Sequence, residues 1–225
     1  MPRTAPPPDE TPHVPRWSRR KEARRGELID AALDLFVERG FAATRADDVA
    51  ARAGVSKGTM YLYFTNKEDL FKAVVREAIV PSIHEAADLI EHFAGTTPEL
   101  LRLIMFAWWD KIGNSRAAGI VKLIMAEANN FPELARFYYE EVIEPGTNLF
   151  HSMLSRGVKR GEFRPIDVTM TTEALMAPMV MLIMWRHSIG PCAQKPMPDP
   201  ALYIDHVVDL ALRGLQITPP EVRRP

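Results

Sequence analysis

The sequence predicts an all-α protein in which a three-helix N-terminal unit is joined to a larger helical C-terminal domain. Apolar residues recur at the spacing of amphipathic helices along most of the 225 residues, and no stretch shows the sustained alternation typical of a strand. Glycine and proline divide this pattern into separate segments. Hydrophobic residues make up 47% of the chain, which is enough to build a core in one small and one medium domain.

Residues 1–18 are predicted to form a disordered arm, because they are rich in proline and poor in apolar residues. The prolines are Pro2, Pro6, Pro7, Pro8, Pro12 and Pro15. This arm lacks the apolar segment of a signal peptide, and the longest apolar run, residues 174–185, is shorter than the ~20 residues that span a bilayer. The single cysteine, Cys192, suits a reducing compartment. We therefore expect a soluble, cytoplasmic protein with no membrane partner.

The first helix is predicted over about residues 21–39, with apolar residues at helical spacing from Ile29 to Phe36 and with Gly40 as its C-terminal stop. Six cations lie at or just before its start: Arg16, Arg19, Arg20, Lys21, Arg24 and Arg25. The net charge is only −1, so any affinity for nucleic acid must come from a local patch. We expect this patch to contact phosphates or the minor groove, and the alternative is a solvated face.

Two short helices joined by a glycine turn are predicted within residues 44–71. Thr44 is a suitable N-cap and Asp47 follows three residues later, so the first short helix should begin near Arg45. Its apolar face is formed by Val49, Ala50 and Ala53. Gly54 can adopt the left-handed conformation that ends this helix, and Val55 can fill the corner that follows.

The second short helix is predicted from its N-cap Ser56 to about Tyr63, a length of about 12 Å that fits a major groove. Met60 and Phe64 are four residues apart and should point inward. The outward residues are then Lys57, Gly58, Thr59, Tyr61 and Tyr63. Their ammonium, hydroxyl and open backbone groups can bind base edges and phosphates. Lys67, at the start of the next helix, can hold a further phosphate.

At these positions the chain resembles the TetR family of bacterial transcriptional regulators. The matching residues are Thr44, Val49, Ala50, Ala53, Gly54, Val55, Ser56, Gly58, Thr59, Tyr61, Tyr63, Phe64, Lys67 and Leu70. The resemblance implies that the second short helix is the recognition helix, that residues 57–59 face bases, and that Tyr61 and Lys67 hold phosphates. The expected DNA contacts are Arg24, Thr44, Arg45, Ser56, Lys57, Gly58, Thr59, Tyr61, Tyr63 and Lys67. The alternative is a generic pair of helices in which the tyrosines only pack.

Seven further helices are predicted after the helix-turn-helix. They lie near residues 66–79, 82–94, 98–113, 116–129, 132–160, 167–188 and 201–214. Pro145 and Gly146 should kink or break the fifth of these, which Gly161 should end. The resulting domains are the arm at 1–18, a DNA-binding domain with its connector helix at 19–80, an effector-binding and dimerisation domain at 81–216, and a C-terminal tail at 217–225.

The helix over residues 167–188 has almost no polar side, and such a helix is normally buried all round. The resemblance implies that the last two helices form a four-helix bundle with a second copy, which would bury it. The expected interface residues are Leu175, Leu182, Trp185, Leu202, Val207 and Leu210. The alternative is a core helix of a monomer.

The resemblance also implies that the C-terminal helices enclose a pocket whose occupant moves the connector helix and separates the recognition helices. Aromatic and methionine side chains suit a small apolar or aromatic effector. The expected lining residues are Met105, Trp108, Trp109, Met125, Phe137, Met176 and Met179. Polar residues that could orient the ligand are Asn129, Tyr138, Asn148 and His151. The alternative for each of these residues is an ordinary place in the core.

No metal, cofactor or catalytic site is predicted. His84, Asp88 and His92 recur every four residues, but three ligands spread over two helical turns seldom converge on one ion, so we expect a solvent-facing polar stripe. The sequence contains no nucleophile elbow, phosphate loop, paired cysteines or dinucleotide fingerprint, so we expect no enzyme.

The sequence thus predicts a homodimeric regulator that binds a palindromic DNA operator and is most simply a repressor released by its ligand. The alternative is a helical small-molecule-binding protein without specific DNA recognition. Whether the ligand releases or promotes DNA binding depends on the conformation that it prefers, and both remain open from the sequence.

Overall fold

The computed structural model describes residues 16–193 and 196–216, and every regular element in those two ranges is helical. The α-helices there are α1 (Arg16–Ala43), α2 (Ala46–Arg52), α3 (Lys57–Tyr61), α4 (Lys67–Ala78), α5 (Val80–His92), α6 (Thr97–Trp108), α7 (Ala118–Glu127), α8 (Pro132–Tyr138), α9 (Glu144–Lys159), α10 (Val168–Met184) and α11 (Pro200–Leu215). The predicted all-α fold is confirmed. The first 15 residues of the predicted arm and the predicted tail at 217–225 lie outside the described residues.

Three helices of the C-terminal domain continue into π-helical turns. α6 continues through Trp109–Gly113, α8 through Tyr139–Ile143 and α10 through Trp185–Ile189. The π turn after α8 leads directly into α9, in which Pro145 lies in the first turn. A proline is tolerated there because its missing N–H would have no partner in a first turn. The chain stays helical from residue 132 to residue 159, so it does not break at Pro145, and the π turn just before the proline is where it departs from α-helical geometry.

Helices α1 to α4 pack around an aromatic centre formed by Phe36, Phe41 and Phe71. All three side chains are fully buried, and their ring centroids lie 5.5–5.6 Å apart. Gly40 interrupts α1 with a φ of 82°, and one further helical turn follows it. Because α1 begins at Arg16, the last three residues of the predicted arm are helical.

The connection between α1 and α2 differs from the prediction at Thr44. Arg45 occupies the N-cap position of α2 without a side-chain bond. The Thr44 hydroxyl donates instead to the carbonyl oxygens of Leu35 at 3.1 Å and Gly40 at 2.7 Å. Because α1 is interrupted, these carbonyl oxygens lack helical hydrogen-bond donors. The Thr44 hydroxyl binds them and does not cap α2. Gly54, with a φ of 67°, takes the predicted left-handed conformation.

The C-terminal domain packs on the DNA-binding unit through α7 and α8. α7 lies along α1, where a Cβ added to Gly119 would be 2.5 Å from Val37. Glycine thus allows the two helices to approach closely. Arg116, just before α7, pairs with Asp30 and Asp34 of α1 at 2.8 and 2.7 Å.

Helix α10 packs against α7, α9 and α11. With its continuation it forms the segment Val168–Cys192, which is long and apolar enough to cross a membrane by length and composition alone. Only 28% of its most apolar stretch is buried in the single chain, so this helix leaves apolar surface uncovered. The segment is longer than the predicted apolar run because the helix continues past the charged residues that bound the run, Glu173 and Arg186.

Candidate nucleic-acid interface and effector cavity

Helix α3 is the short helix that the sequence predicts for DNA reading. Ser56 is its N-cap, as predicted, because its Oγ accepts a hydrogen bond from Thr59 N at 3.1 Å. Met60 and Phe64 point inward, as predicted, with exposures of 0 and 3%. The helix ends at Tyr61, two residues earlier than predicted, and the chain continues in a turn closed by bonds to the Met60 carbonyl.

The outer face of α3 carries accessible groups that suit DNA. Lys57 and Gly58 are exposed, Tyr61 is 46% exposed and Tyr63 is half-buried. A Cβ added to Gly58 would meet nothing closer than 3.8 Å, so the backbone is open to a close approach by a DNA strand. Leu62 was missed from the sequence although it is 80% exposed. Its aliphatic side chain suits a thymine methyl group.

Lys57 is already bound to a carboxylate in the free protein. Its Nζ lies 2.9 Å from Oδ1 of Asp47 on α2. The hydrogen bond with Asp47 raises the pKa of the lysine. Both side chains are about half exposed, so a base or a phosphate can reach Lys57 and compete with Asp47 for it.

The flanking residues of the predicted DNA face differ in accessibility. Arg24 is exposed on α1, where it pairs with Glu27 at 2.5 Å, and Arg45 is exposed at the start of α2. Thr44 is only 1% exposed, so its hydroxyl is not on the outer face. Arg25 pairs with Glu77 of α4, and its side chain stays 44% exposed.

Lys67 ties α4 to α1. Its Nζ donates to the carbonyl oxygens of Phe41 at 2.7 Å and Ala42 at 3.3 Å, and it lies 4.3 Å from the centre of the Phe41 ring. Burial lowers the pKa of this lysine. A phosphate contact through Lys67 stays a prediction, and it would require the ammonium group to leave these carbonyls.

The C-terminal domain contains an apolar cavity of about 510 Å³. It is lined by the helices α5 to α10, including the π turns after α6 and α8. Its apolar lining consists of Ile79, Ile83, Ala86, Leu89, Ile90, Ile104, Ala107, Trp108, Ile112, Val121, Ile124, Met125, Val142, Ile143, Leu149, Phe150, Met176 and Val180. The volume falls within the range of about 300–1,000 Å³ that is typical of small-molecule sites.

Polar groups on the cavity wall are few. The hydroxyl-bearing residues are Ser82, Tyr138, Thr147 and Thr172, and the charged residues are Glu85, Lys111 and Glu173. Glu85 and Lys111 pair at 2.9 Å with both side chains more than half exposed, so they lie where the cavity meets solvent. Burial raises the pKa of Tyr138. Its neutral hydroxyl can therefore donate a hydrogen bond to a ligand.

The structure places three of the seven predicted ligand contacts on the cavity wall, namely Trp108, Met125 and Met176. The other four, Met105, Trp109, Phe137 and Met179, are outside its lining and at most 8% exposed. They pack in the core around the cavity and do not line it, so their role as ligand contacts stays a prediction. Phe137 packs towards α4, where Arg76 lies 5.0 Å from its ring centre.

Helix α5 forms a wall of the cavity that the sequence analysis missed. It contributes Ile83, Leu89 and Ile90, and it has no methionine and no tryptophan to attract attention. The available signal was its one-sided aliphatic pattern. Of the four polar candidates, Tyr138 lines the cavity, whereas Asn129, Asn148 and His151 do not.

The predicted dimer residues divide between core and surface. Leu175 and Leu182 are both 3% exposed, so they belong to the core of the single chain, contrary to the prediction. Leu202 and Leu210 are 74 and 58% exposed. The other two, Trp185 and Val207, are half-buried. The exposed apolar residues of α10 are instead Met170, Ala174, Ala177 and Met181.

The predicted polar stripe of α5 lies at the surface. His84, Asp88 and His92 are exposed, and His92 Nδ1 is 2.8 Å from the backbone oxygen of Asp88. Across residues 16–193 and 196–216, no three His, Cys, Asp or Glu side chains are grouped so that they could hold a metal ion.

Both parts of the chain match known protein families. Residues 28–74 match the family of bacterial regulatory proteins called tetR, and residues 94–211 match the tetracyclin repressor-like C-terminal domain. The first match contains α2 and α3, and the second covers more than half of the chain.

Individual relatives agree with these matches. The HTH-type transcriptional repressor KstR2 of Mycobacterium tuberculosis is 28% identical over 184 residues, which cover 81% of this chain and 90% of that protein. The fatty acid metabolism regulator protein of Bacillus subtilis is 27% identical over 158 residues, 70% of this chain and 80% of that protein. The solved structure of the transcriptional regulator FadR from Bacillus subtilis, in complex with stearoyl-CoA, shares the fold with a TM-score of 0.71 and 23% identity, over 85% of this chain and 99% of that one.

These relatives are regulators of transcription, and the chain carries both the helix-turn-helix and the C-terminal domain of their family. The chain therefore belongs to the TetR family of bacterial transcriptional regulators.

Proposed function

We propose that this protein is a homodimeric repressor that binds a palindromic operator and leaves it when a long apolar molecule fills the C-terminal cavity. The observation that carries this proposal is the position of the cavity beside the connector helix. Its wall includes Ile79, the residue between α4 and α5. α4 follows the recognition helix α3 after a short turn. A ligand that displaces this wall therefore acts on the DNA-binding unit.

The proposed DNA contacts are those of the exposed face around α3. Lys57, Gly58 and Thr59 would read bases, and Tyr61 and Tyr63 would bind phosphates through their hydroxyls. Arg24, Arg45 and Ser56 would contact the DNA backbone at the edges of this face, and Lys67 would do so after its ammonium group leaves the Phe41 and Ala42 carbonyls. The relative KstR2 is a repressor, which favours the same sign of regulation here.

The proposed effector is an acyl compound. One relative is a fatty acid metabolism regulator, and the solved FadR structure contains stearoyl-CoA. The cavity of this chain supports the same chemistry because its lining is mostly aliphatic and its charged groups are confined to the mouth. A flexible hydrocarbon chain gains from such a wall through burial alone.

The proposed dimer pairs α10 and α11 of two copies. Met170 and Met181 on α10, and Leu202 and Leu210 on α11, are all more than half exposed in the single chain. A second copy would remove this apolar surface from water and form a two-fold interface. We propose no enzymatic role and expect the protein to act on DNA in the cytoplasm.

The experiment begins with selection of bound sequences from random duplex DNA by the purified protein. We expect a palindrome with half-sites about 34 Å apart, and an affinity that falls with salt with a slope near −0.9 per phosphate neutralised. Stearoyl-CoA should then release the operator, whereas free coenzyme A, the matched control, should not. Enrichment of no sequence would refute the operator. Release by neither compound from a bound operator would refute the acyl effector.

A further inference from the structure

We infer that Glu127, at the end of α7, is the positioning residue through which the cavity domain sets the orientation of the helix-turn-helix. It does so by binding the backbone of residues 40–44, named here the α1–α2 connection. The family resemblance points to the connector helix as the moving part. The contacts of Glu127 form a second route, in which α7 acts on the α1–α2 connection itself.

The α1–α2 connection has a backbone shape that depends on its surroundings. Gly40 has a φ of 82° and a ψ of 169°, so two backbone N–H groups after it begin a new helical turn without partners in α1. A Cβ added to Gly40 would lie 2.6 Å from Oε1 of Glu127. The carboxylate therefore occupies the space that glycine leaves free.

Glu127 satisfies both of these N–H groups. Its Oε1 accepts a hydrogen bond from Phe41 N at 2.8 Å, and its Oε2 accepts one from Ala42 N at 3.1 Å. Bonds from two adjacent amides to a carboxylate are charge-assisted and fix both the distance and the direction of the bound segment. The ring of Phe131, which follows α7, packs edge-on against the ring of Phe41, with 4.8 Å between the ring centroids.

Lys67 binds the same two residues, Phe41 and Ala42, from the other side. Its ammonium donates to the carbonyl oxygens of Phe41 and Ala42. These residues therefore have a carboxylate on their N–H groups and a cation on their C=O groups, an arrangement in which each bond polarises and strengthens the others. α2 begins only four residues after Ala42, so the connection determines where the helix-turn-helix starts.

The other end of this route is the cavity wall. Val121, Ile124 and Met125 line the cavity from α7, and Glu127 lies on the same helix two residues after Met125. A rotation or shift of α7 around a bound molecule must therefore carry the carboxylate with it. The bonds of Glu127 then either move the α1–α2 connection or break.

A second interdomain contact does not involve the backbone of the DNA-binding unit. Arg76 of α4 pairs with Glu141 on the π turn after α8 at 2.6 Å, and the two side chains are 52 and 34% exposed. This contact joins two flexible side chains, which can take up a movement between them, whereas Glu127 binds the backbone itself. Glu141→Ala is thus a matched control for Glu127, because each variant removes one interdomain carboxylate.

The test compares Glu127→Ala, Glu127→Gln and Glu141→Ala in the full-length protein. Affinity is measured for the selected operator and for a scrambled duplex of the same length. If the ligand-free protein is the DNA-binding form, as the proposed repressor requires, Glu127→Ala should weaken operator binding about tenfold. Its affinity for the scrambled duplex should change less than about twofold, since the phosphate-binding cations remain. Glu127→Gln keeps one acceptor oxygen and should fall between.

Glu141→Ala should leave both affinities within about twofold of the wild type. Equal losses on both duplexes for Glu127→Ala would show a merely structural role and overturn the inference. A double variant with Lys67→Gln adds a further check. Its loss should be smaller than the combined losses of the single variants, because both side chains bind the backbone of the same two residues, Phe41 and Ala42.

Backbone hydrogen exchange tests the role of Glu127 even if the wild type shows no preference for an operator. In Glu127→Ala we expect faster exchange throughout α2 and α3, not only at residues 41 and 42. Faster exchange confined to those two amides would overturn the inference. The operator part of the proposed function would in either case be judged separately, from the wild type alone.

Discussion

The DNA-binding unit and the C-terminal domain are both helical, but they fill their interiors differently. α1 to α4 close around three phenylalanine rings that touch one another and are shut off from water. The C-terminal helices surround a cavity of about 510 Å³. Two π turns supply part of its wall, with Lys111 and Ile112 on one and Val142 and Ile143 on the other.

This difference suits a division of labour between a rigid body and a deformable one. Close-packed interiors transmit a displacement, whereas a hollow lined by interrupted helices can change shape around a guest. π turns are frequent at functional sites because they locally widen a helix. The DNA-binding unit should therefore move as one piece when the cavity domain rearranges.

The largest loss of stability is expected when a ring is removed from the close-packed core of the DNA-binding unit. Phe71→Ala removes a ring that contacts Phe36 and Phe41, and we expect the free energy of unfolding to fall by about 3–5 kcal/mol. Phe150→Ala removes a ring that already borders the cavity and should lower it less. Urea unfolding of both variants measures the difference. Equal losses would mean that the two interiors are packed alike.

Replacement of an alanine by leucine in each interior tests the same difference by adding volume instead of removing it. Ala32 is fully buried in α1, so Ala32→Leu should lower the free energy of unfolding by about 1–3 kcal/mol through overpacking. Ala107 lines the cavity, so Ala107→Leu has room and should change it by less than about 1 kcal/mol. Ala107→Leu should also weaken stearoyl-CoA binding, which calorimetry can measure. A large destabilisation by Ala107→Leu would speak against the cavity.

A smaller effect is expected at the cap of the recognition helix. Ser56→Ala removes the acceptor for Thr59 N and should lower the free energy of unfolding by about 1 kcal/mol. Ser152→Ala is the control, because the Ser152 hydroxyl is exposed and bonds only the Leu149 carbonyl within α9. Chemical denaturation should show a change of less than about 0.5 kcal/mol for it. If the two variants lost the same stability, the cap would contribute nothing.

The smallest loss of stability is expected at the contact between the DNA-binding unit and the C-terminal domain. Arg116→Ala removes the pairs with Asp30 and Asp34, in which the arginine is 57% exposed. The loss should stay below about 1 kcal/mol and shrink as salt is added. Thermal melting at low and high salt checks both statements. A loss that is large and independent of salt would show that these pairs are shielded from solvent.

The helix-turn-helix could be predicted from the sequence because its determinants are local. The cap of Ser56 acts three residues away on Thr59, and the left-handed turn depends on Gly54 alone. The inward direction of Met60 and Phe64 follows from their spacing. None of these features needs a contact from a distant part of the chain.

The cavity and the open faces could not be predicted in the same way. α10 is apolar on nearly every side, so its pattern does not show that Leu175 and Leu182 face the core while Met170 and Met181 face solvent. The partner of the Phe41 amide is 86 residues away. The role of Glu127 therefore depends on how α1 and α7 pack, which periodicity within either helix does not encode.

The ion pair between Lys57 and Asp47 has a consequence for the search along a chromosome. A duplex that engages Lys57 competes for it with Asp47, which lies 2.9 Å away. A single phosphate replaces one anionic partner of Lys57 with another, so the exchange brings little gain in binding free energy. A guanine edge, with two acceptors in line, offers more. If Lys57 reads bases as proposed, Asp47 would act as an internal competitor that weakens its contact with unrelated DNA.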